Sequence, residues 1–329
     1  MGKKTIFCMV LLSAFLGVFT FASMVRAAYP EKPIEIVVHS SPGGGSDLFA
    51  RQVAAILEKE GIVKQKIQVV NRTGGGGTVA LNYIASKKGD PYVLMNVTTS
   101  PLSALMRGSS QLKFDDVVCI AMMVEDPNLA FTRYDSPLKD MKAVIAEAKK
   151  APRKVNIAIG NIGGSEHVCA HRVAKASGVE FNIVSFKGGG DAAVALLGGH
   201  VDASFGNINE QMGQIEAKKV RVLATMSEKR IPYLPDVPTM KEIGINTEFS
   251  QIRGFWGAPG FPPSAVQFWE DAFAKLMKTK AFKDQLNATQ GVEHFLTHDE
   301  FKKFLTKYMD DLSKDVKELE IYQEPEKKK

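Results

Sequence analysis

The chain has 329 residues, a net charge of +6 and 45% hydrophobic residues. This length exceeds what one hydrophobic core usually organises, so we expect two domains. The positive surplus is small and scattered along the chain, which gives no support for nucleic-acid binding.

The first 27 residues are typical of a secretory signal peptide. Two lysines precede an uncharged apolar run from Thr5 to about Val25, and Val25-Arg-Ala27 supplies small residues at the cleavage site. The run approaches the ~20 residues that span a bilayer, so a permanent anchor is the alternative. We predict cleavage after Ala27 and a free periplasmic protein. Removal of residues 1–27 takes away three basic residues and no acid, which lowers the net charge from +6 to +3.

Two cysteines remain after cleavage, Cys119 and Cys169. Export would permit a disulfide between them, but pairing requires close Cα atoms that a sequence does not show. We expect both to be small buried apolar residues.

Short apolar runs alternate with helical spacings from Ile34 to Thr225, which predicts βαβ units and an α/β fold with parallel sheets. Strands are expected at 34–38, 67–70, 92–97, 129–131, 155–159, 182–185, 203–205 and 220–225. Helices are expected at 48–57, 79–85, 138–149, 166–176 and 192–197. Beyond the turn-rich segment 259–263 the chain becomes mainly helical, at 265–277, 280–289 and 299–319.

Four of the strand-to-helix junctions are rich in glycine and carry a Ser, Thr or Asp near the helix start. They lie at 39–47, 71–78, 160–165 and 186–191. The first amides of a helix have no intrahelical partner and carry partial positive charge, and glycine lets a ligand approach them closely. One such turn is often only a tight connection, but four together predict an anion site beyond the carboxyl ends of the strands.

The sequences of the turns match neither a phosphate-binding loop nor a dinucleotide-binding motif. None contains the Gly-Lys-Ser/Thr of a phosphate-binding loop, and Gly43-Gly-Gly45 has no third glycine to complete a dinucleotide motif. Amides and hydroxyls suit a carboxylate well, so a carboxylate is the predicted ligand group.

Motifs in order along the chain resemble the Bug family, the extracytoplasmic solute receptors of tripartite tricarboxylate transporters. The segment Pro42-Gly-Gly-Gly-Ser-Asp47 with Ala50-Arg51 is similar to the family's Pro-Gly-Gly-x-x-Asp-x-x-Ala-Arg signature. Further matches are Asn71-Arg-x-Gly-Gly-Gly-Gly77, Gly163-Gly-Ser-x-His167, Lys187-Gly188, Leu197-Gly-Gly-His-Val-Asp202, Val237-Pro-Thr239 with Glu242 and Gly244, and Trp256-Gly-x-x-x-Pro262. The resemblance covers nearly all of the chain after the signal peptide.

This resemblance implies a type II periplasmic-binding-protein fold, in which two α/β lobes close on a ligand. Lobe 1 would comprise 28–127 and 253–329, and lobe 2 would comprise 128–252. The protein would bind a small organic carboxylate, such as a di- or tricarboxylate or an aromatic acid, through amides, hydroxyls and water, without a salt bridge. It would act as a monomer without a cofactor and deliver its ligand to membrane transporter subunits.

The residues that the resemblance assigns to the ligand come from both lobes. Lobe 1 would contribute Pro42, Gly43, Gly44, Gly45, Ser46, Thr73, Gly76, Thr78, Thr98, Thr99 and Ser100. Lobe 2 would contribute Gly163, Gly164, Ser165, His167, Gly188, Gly189, Asp191 and Asn207. Thr98–Ser100 are equally well explained as turn formers. Asp47 and Arg51 lie four residues apart, and we interpret them as a cap and an ion pair on the helix.

Other functions receive less support from the residues. His167 and His171 share a helix face and could bind a metal, but no third ligand has a persuasive spacing. There is no Gly-x-Ser-x-Gly elbow and no evident acid, base or nucleophile, so an enzyme is the weaker hypothesis. A sensor that presents its liganded state to a signalling membrane protein remains an alternative to uptake. Phe186, where the family commonly has Tyr, removes a hydroxyl near the predicted site.

Overall fold

The computed structural model describes residues 29–319, so the predicted signal peptide lies outside the described residues. The strands are β1 (Ile34–Val38), β2 (Ile67–Asn71), β3 (Val93–Val97), β4 (Val118–Arg133), β5 (Asn156–Ile159), β6 (Asn182–Ser185), β7 (Ala203–Asn207), β8 (Val220–Thr225), β9 (Ser250–Gly257) and β10 (Val292–Leu296). The helices are α1 (Gly45–Lys59), α2 (Thr78–Ala85), α3 (Thr99–Met106), α4 (Met141–Ala148), α5 (Ser165–Ser177), α6 (Gly189–Leu197), α7 (Ile208–Glu216), α8 (Pro263–Lys278), α9 (Lys280–Thr289) and α10 (His298–Leu319).

The strands form one curled sheet with the order β2-β1-β3-β9-β4-β7-β5-β6, and β8 and β10 also pair with β4. Pairing is parallel among β1, β2 and β3 and among β5, β6 and β7, as the βαβ pattern predicts. The middle of the sheet is antiparallel, because β9 pairs with β3 and with β4, and β4 pairs with β7. The expectation of purely parallel sheets is therefore wrong at the centre.

Two parallel regions on either side of β4 and β9 give the two lobes of a binding-protein fold. One set of core residues packs around β1, β3, α1 and α8, and another packs around β5, β7, α5 and α6. We propose the lobe boundaries expected from the sequence, with one adjustment. Phe301 and Leu305 at the start of α10 pack in lobe 1, whereas Leu312 and Val316 pack in lobe 2, so this helix crosses between the lobes.

Local sequence explains where the helices start. Asp140 accepts a hydrogen bond from the Ala143 amide at 2.8 Å, and Thr279 accepts one from the Phe282 amide at 3.2 Å, so α4 and α9 begin at side-chain caps. Pro263 at the first position of α8 fits a helix start, since its missing N–H needs no partner there. Between residues 29 and 319, no helix has the length and apolar character required to span a membrane.

Candidate functional site

A small cavity of about 10 Å³ lies between the two lobes, where the carboxyl ends of strands from both sides meet. We call it the inter-lobe cavity. Its lining residues are His39, Ser40, Gly45, Ser46, Ser100, Asn161, Gly164, Glu166, Gly189, Asn207, Glu210, Gln251 and Arg253. Its volume is about what one water molecule requires, so an organic ligand needs the lobes to move apart.

Four helices begin at or beside this cavity without a side-chain cap. The cap residues of α1, α3, α5 and α6 are Gly44, Thr98, Gly164 and Gly188, and none of them accepts a helix amide through its side chain. Side chains from other elements accept the first amides of two of these helices: Glu210 accepts from Gly45 at 2.7 Å, and Gln251 accepts from Thr99 at 3.2 Å. By contrast, α4 and α9, which begin elsewhere, are capped by side chains. The amides of a helix start that no side chain occupies can receive an anion.

Several polar atoms of the lining are buried and lack a hydrogen-bond partner. They include the hydroxyls of Ser40 and Ser100, His39 Nδ1 and Arg253 Nη1. The four residues are between 1% and 3% exposed. Because a buried polar group without a partner costs roughly 1–3 kcal/mol, such a concentration of them marks a place where another molecule binds.

The cation of the site, Arg253, lies on β9 and is held by Asp126 on β4. Its Nε and Nη2 lie 2.7 and 2.5 Å from Asp126 Oδ2, and Nη2 donates to Asn207 Oδ1 at 3.1 Å. Burial raises the pKa of Asp126, and the guanidinium opposes that rise. The pair fixes Arg253 at the junction of the lobes and leaves Nη1 unpaired.

Two further carboxylates face the same cavity. Glu210 reaches across it: Oε1 accepts from the Gly45 amide at 2.7 Å, and Oε2 accepts from the Asn207 amide at 3.0 Å. Glu166, which is 5% exposed, lies at the start of α5 with its Oε2 over Gly164. Burial, and then the Glu210 charge, raises the pKa of Glu166 to about 7. Burial also raises the pKa of Glu210.

The histidines near the cavity are neutral. Burial, followed by the Arg253 charge, lowers the pKa of His39 to about 3, and its Nε2 lies 3.3 Å from Thr98 Oγ1. Burial lowers the pKa of His167 to about 4, and its Nδ1 accepts from the Gly163 amide at 3.1 Å. A ligand therefore meets these rings as neutral hydrogen-bonding groups.

The comparisons with known proteins agree with this architecture. The family model described as "Tripartite tricarboxylate transporter family receptor" matches residues 49–320. The chain belongs to this family. Protein BugT of Bordetella pertussis (strain Tohama I) is 28% identical over 310 residues, which cover 90% of this chain and 94% of BugT.

Solved structures show the same fold. That of the periplasmic binding protein BugD has a TM-score of 0.80 and 25% identity, with 88% of this chain and 98% of that one covered. MatC from Rhodopseudomonas palustris with bound malate has a TM-score of 0.78 and 22% identity, over 88% of this chain and 99% of MatC. Members of this family are periplasmic binding receptors.

In this receptor, six of the sequence-predicted site residues line the inter-lobe cavity: Gly45, Ser46, Ser100, Gly164, Gly189 and Asn207. The others are outside the lining. Pro42 and Gly43 are exposed, whereas Thr73, Gly76, Thr78 and Asp191 are half-buried. Gly44 and Gly188 are the caps of α1 and α6. Gly163 and His167 hydrogen bond to each other.

The hydroxyls predicted near the ligand divide into two groups. Ser100 has no partner. Thr98 contacts His39, Thr99 donates to Gln251 Oε1 at 2.8 Å, and Ser165 donates to Asn128 Oδ1 at 3.1 Å. Of these four residues only Ser100 lines the cavity, and its hydroxyl is available to a ligand.

Asp47 has the structural role expected from its spacing. Its carboxylate accepts from the Gly43 amide at 2.9 Å and pairs with Arg51 at 2.9 Å. Asn71 on β2 also donates to it at 2.9 Å. These contacts hold the glycine turn against α1.

Sequence reasoning missed the charged residues of the site. It expected no cationic side chain at the ligand, and the structure places Arg253 in the cavity lining. A charged residue inside the apolar run Ile252–Phe255 was the available signal, since a buried charge requires a partner. Asn207-x-x-Glu210 has the spacing of a capping box, which the structure forms at α7.

A larger cavity, of about 190 Å³, lies between α5 and the end of α10. Three of its polar side chains are paired, since His171 and Lys175 contact Glu318 at 2.8 and 2.7 Å. Within residues 29–319 no three His, Cys, Asp or Glu side chains form a metal site, and Cys119 and Cys169 are free and buried. The inter-lobe cavity, which has unpaired donors and is lined by residues of both lobes, is the better candidate.

Proposed function

We propose that this receptor captures a small organic carboxylate in the periplasm by closure of its lobes and delivers it to the membrane subunits of a tripartite transporter. The observation that carries the proposal is the set of unpaired, buried donors in one cavity: Ser40 and Ser100 hydroxyls and Arg253 Nη1. A carboxylate has acceptor sites for several donors of this kind.

Closure is expected because the groups that can contact the ligand come from both lobes. Ser40 and Ser100 lie in lobe 1, Gly164 and Gly189 begin helices of lobe 2, and Arg253 lies on the strand between them. A ligand that contacts both sides binds the closed form more tightly than the open form and shifts the equilibrium toward it. The closed surface is then what the membrane subunits recognise.

A thermal-shift screen of organic acids tests the proposal, followed by calorimetry on each acid that stabilises the protein. Ligands that bind only the folded state raise its melting temperature, and the rise grows with the ratio of ligand concentration to Kd. We expect carboxylates to stabilise the receptor and the corresponding neutral alcohols or amides to have no effect. Stabilisation only by uncharged compounds, or chemical turnover of a stabilising acid, would contradict the proposal.

A further inference from the structure

Two carboxylates at the inter-lobe cavity lack a cationic partner. Glu166 and Glu210 both line it, and in the described part of the chain neither takes part in an ion pair. The cation at the cavity, Arg253, is already paired with Asp126. When both are ionised beside an arginine that is already paired, the cavity carries a net negative charge that a cation would balance.

The hydrogen bonds of these carboxylates come from neutral groups. Glu210 accepts two backbone amides, from Gly45 and Asn207. Glu166 accepts from its own backbone amide. These bonds orient both carboxylates toward the cavity but bring no full charge. Among nearby charges, Arg253 lowers the pKa of both carboxylates, whereas Glu210 raises that of Glu166 and Asp126 raises that of Glu210. Three acids therefore share Arg253.

Glu210 also reduces the number of donors available to an anionic ligand. The Gly45 amide, at the uncapped start of α1, is the donor that a carboxylate ligand would use, and Glu210 occupies it. The donors that remain unpaired are Ser40, Ser100 and Arg253 Nη1. One end of the cavity surface is therefore suited to an anion, and the carboxylates next to it are suited to a cation.

We propose that Glu166 and Glu210 are specificity-determining residues that select a carboxylate ligand bearing a protonated amine. The inference rests on the proposed function, because the ligand's carboxylate takes the unpaired donors of that site. An ammonium group supplies the missing positive charge and has three N–H donors for carboxylate oxygens. A plain dicarboxylate adds negative charge beside two acids and leaves them uncompensated.

Calorimetry with matched ligand pairs tests this directly. Aspartate is compared with succinate and glutamate with glutarate, followed by other amino acids and their deaminated analogues. In each pair of acids that binds, we expect the Kd of the amine-bearing acid to be at least about tenfold lower, because it gains a hydrogen bond to a charged group. Glu166→Gln should reduce that preference about 10- to 100-fold, Glu166→Asp should retain part of it, and the exposed Glu60→Gln should leave it unchanged.

The outcomes distinguish failure of the amine preference from failure of carboxylate capture. Equal or tighter binding of the deaminated acids, with Glu166→Gln affecting both members alike, would overturn the amine preference and leave carboxylate capture intact. Stabilisation by Ca²⁺ or Mg²⁺ alone, lost in Glu166→Gln, would also overturn it by identifying the missing cation as a metal. No binding by any acid would contradict the proposed function itself. Far-ultraviolet circular dichroism of each variant verifies its folding.

Discussion

The carboxylate of Glu210 in lobe 2 accepts a hydrogen bond from the Gly45 amide of lobe 1 at 2.7 Å. A second direct contact joins the lobes nearby, where the Ser41 amide donates to the Lys187 carbonyl at 2.9 Å. The structure is therefore a closed form, in which backbone and side chain from opposite lobes meet at glycine-rich turns. Ligand affinity depends on how closely these turns can approach each other.

The Gly190→Ala substitution should weaken ligand binding by hindering closure. A Cβ at Gly190 would lie 3.1 Å from the carbonyl carbon and oxygen of Gly43 in the other lobe, which is tighter than nearly all real contacts of this kind. We expect about a tenfold loss of affinity, since widening the cleft disturbs contacts to both lobes. Calorimetry measures the affinity, and small-angle scattering should show a more open average shape.

Gly213→Ala is the matched control for that change. Gly213 also lies in a helix, α7, but a Cβ there meets nothing within 4 Å. Both substitutions should raise helix stability by about 0.5–1 kcal/mol. Equal affinities of the two variants for the ligand would show that the contact between Gly190 and Gly43 does not limit closure.

Ser100→Ala should separate binding from folding. The hydroxyl is buried without a partner, so its removal should leave the unliganded protein as stable as before, or more stable by about 1 kcal/mol. Ligand affinity should fall about tenfold, as a hydrogen bond to the ligand is lost. The neighbouring Thr99→Val should behave differently: it breaks a 2.8 Å bond to Gln251 and should destabilise the protein by about 1–2 kcal/mol. Loss of stability in Ser100→Ala with unchanged affinity would assign the hydroxyl to the fold.

Asp126→Asn should destabilise the protein strongly. It removes the charge that compensates buried Arg253, and breaking a buried ion pair typically costs about 3–5 kcal/mol. The exposed pair of Arg133 and Asp135 provides the control, since Asp135→Asn should change the free energy of unfolding by less than about 1 kcal/mol. Urea unfolding of both variants measures this difference, and similar values would show that Arg253 is compensated elsewhere.

Glu166→Gln should flatten the pH dependence of stability. The pKa of Glu166 rises from 4.5 to about 7 on folding, so the folded state binds more protons than the unfolded state between these values. The contribution of Glu166 is present below pH ~4.5 and is lost as the pH rises through ~7, by on the order of 1–3 kcal/mol. Urea unfolding at pH 5, 6, 7 and 8 should show the variant gaining stability relative to the unsubstituted protein.

His39 is present in both proteins, so its contribution cancels when their free energies of unfolding are subtracted. Folding lowers the pKa of His39, and its contribution to stability is therefore lost as the pH falls below ~6.5. Glu210 and Arg253 line the same cavity, Asp126 pairs with Arg253, and all three remain in both proteins. A constant difference across the four pH values would show that Glu166 has an ordinary pKa.

The strand-to-helix junctions could be predicted from the sequence because their signals are local. A short apolar run, two or more glycines and a small polar residue placed the starts of α1, α5 and α6 within about three residues of where they lie. The same junctions supplied Gly45, Gly164 and Gly189 as site residues, since a helix start at a sheet edge is an anion site whatever the rest of the fold.

The strands between the lobes were missed or shortened because their pairing is not local. The segment 118–133 contains Glu125, Asp126 and Pro127, which interrupt the apolar pattern, so only 129–131 was predicted as strand. In the structure β4 is continuous because Arg253 on β9 pairs with Asp126 and because β4 changes partners at this point. The compensating residue is 127 positions away, and no local pattern indicates it.

The acidic character of the site was missed for a related reason. Glu166 and Glu210 look like ordinary residues of a first helical turn, where acids are favoured by the helix dipole. The two residues share one cavity because of how α5 and α7 are arranged in lobe 2. Glu210 reaches Gly45 because the two lobes are closed.

A crystal structure of the receptor with a stabilising acid bound is the most direct test of the account. The ligand's carboxylate should lie within hydrogen-bonding distance of Ser40, Ser100 or Arg253 Nη1, with atoms of both lobes around it. A carboxylate found instead against Lys175 in the cavity between α5 and α10, or on the outer surface of one lobe, would contradict it.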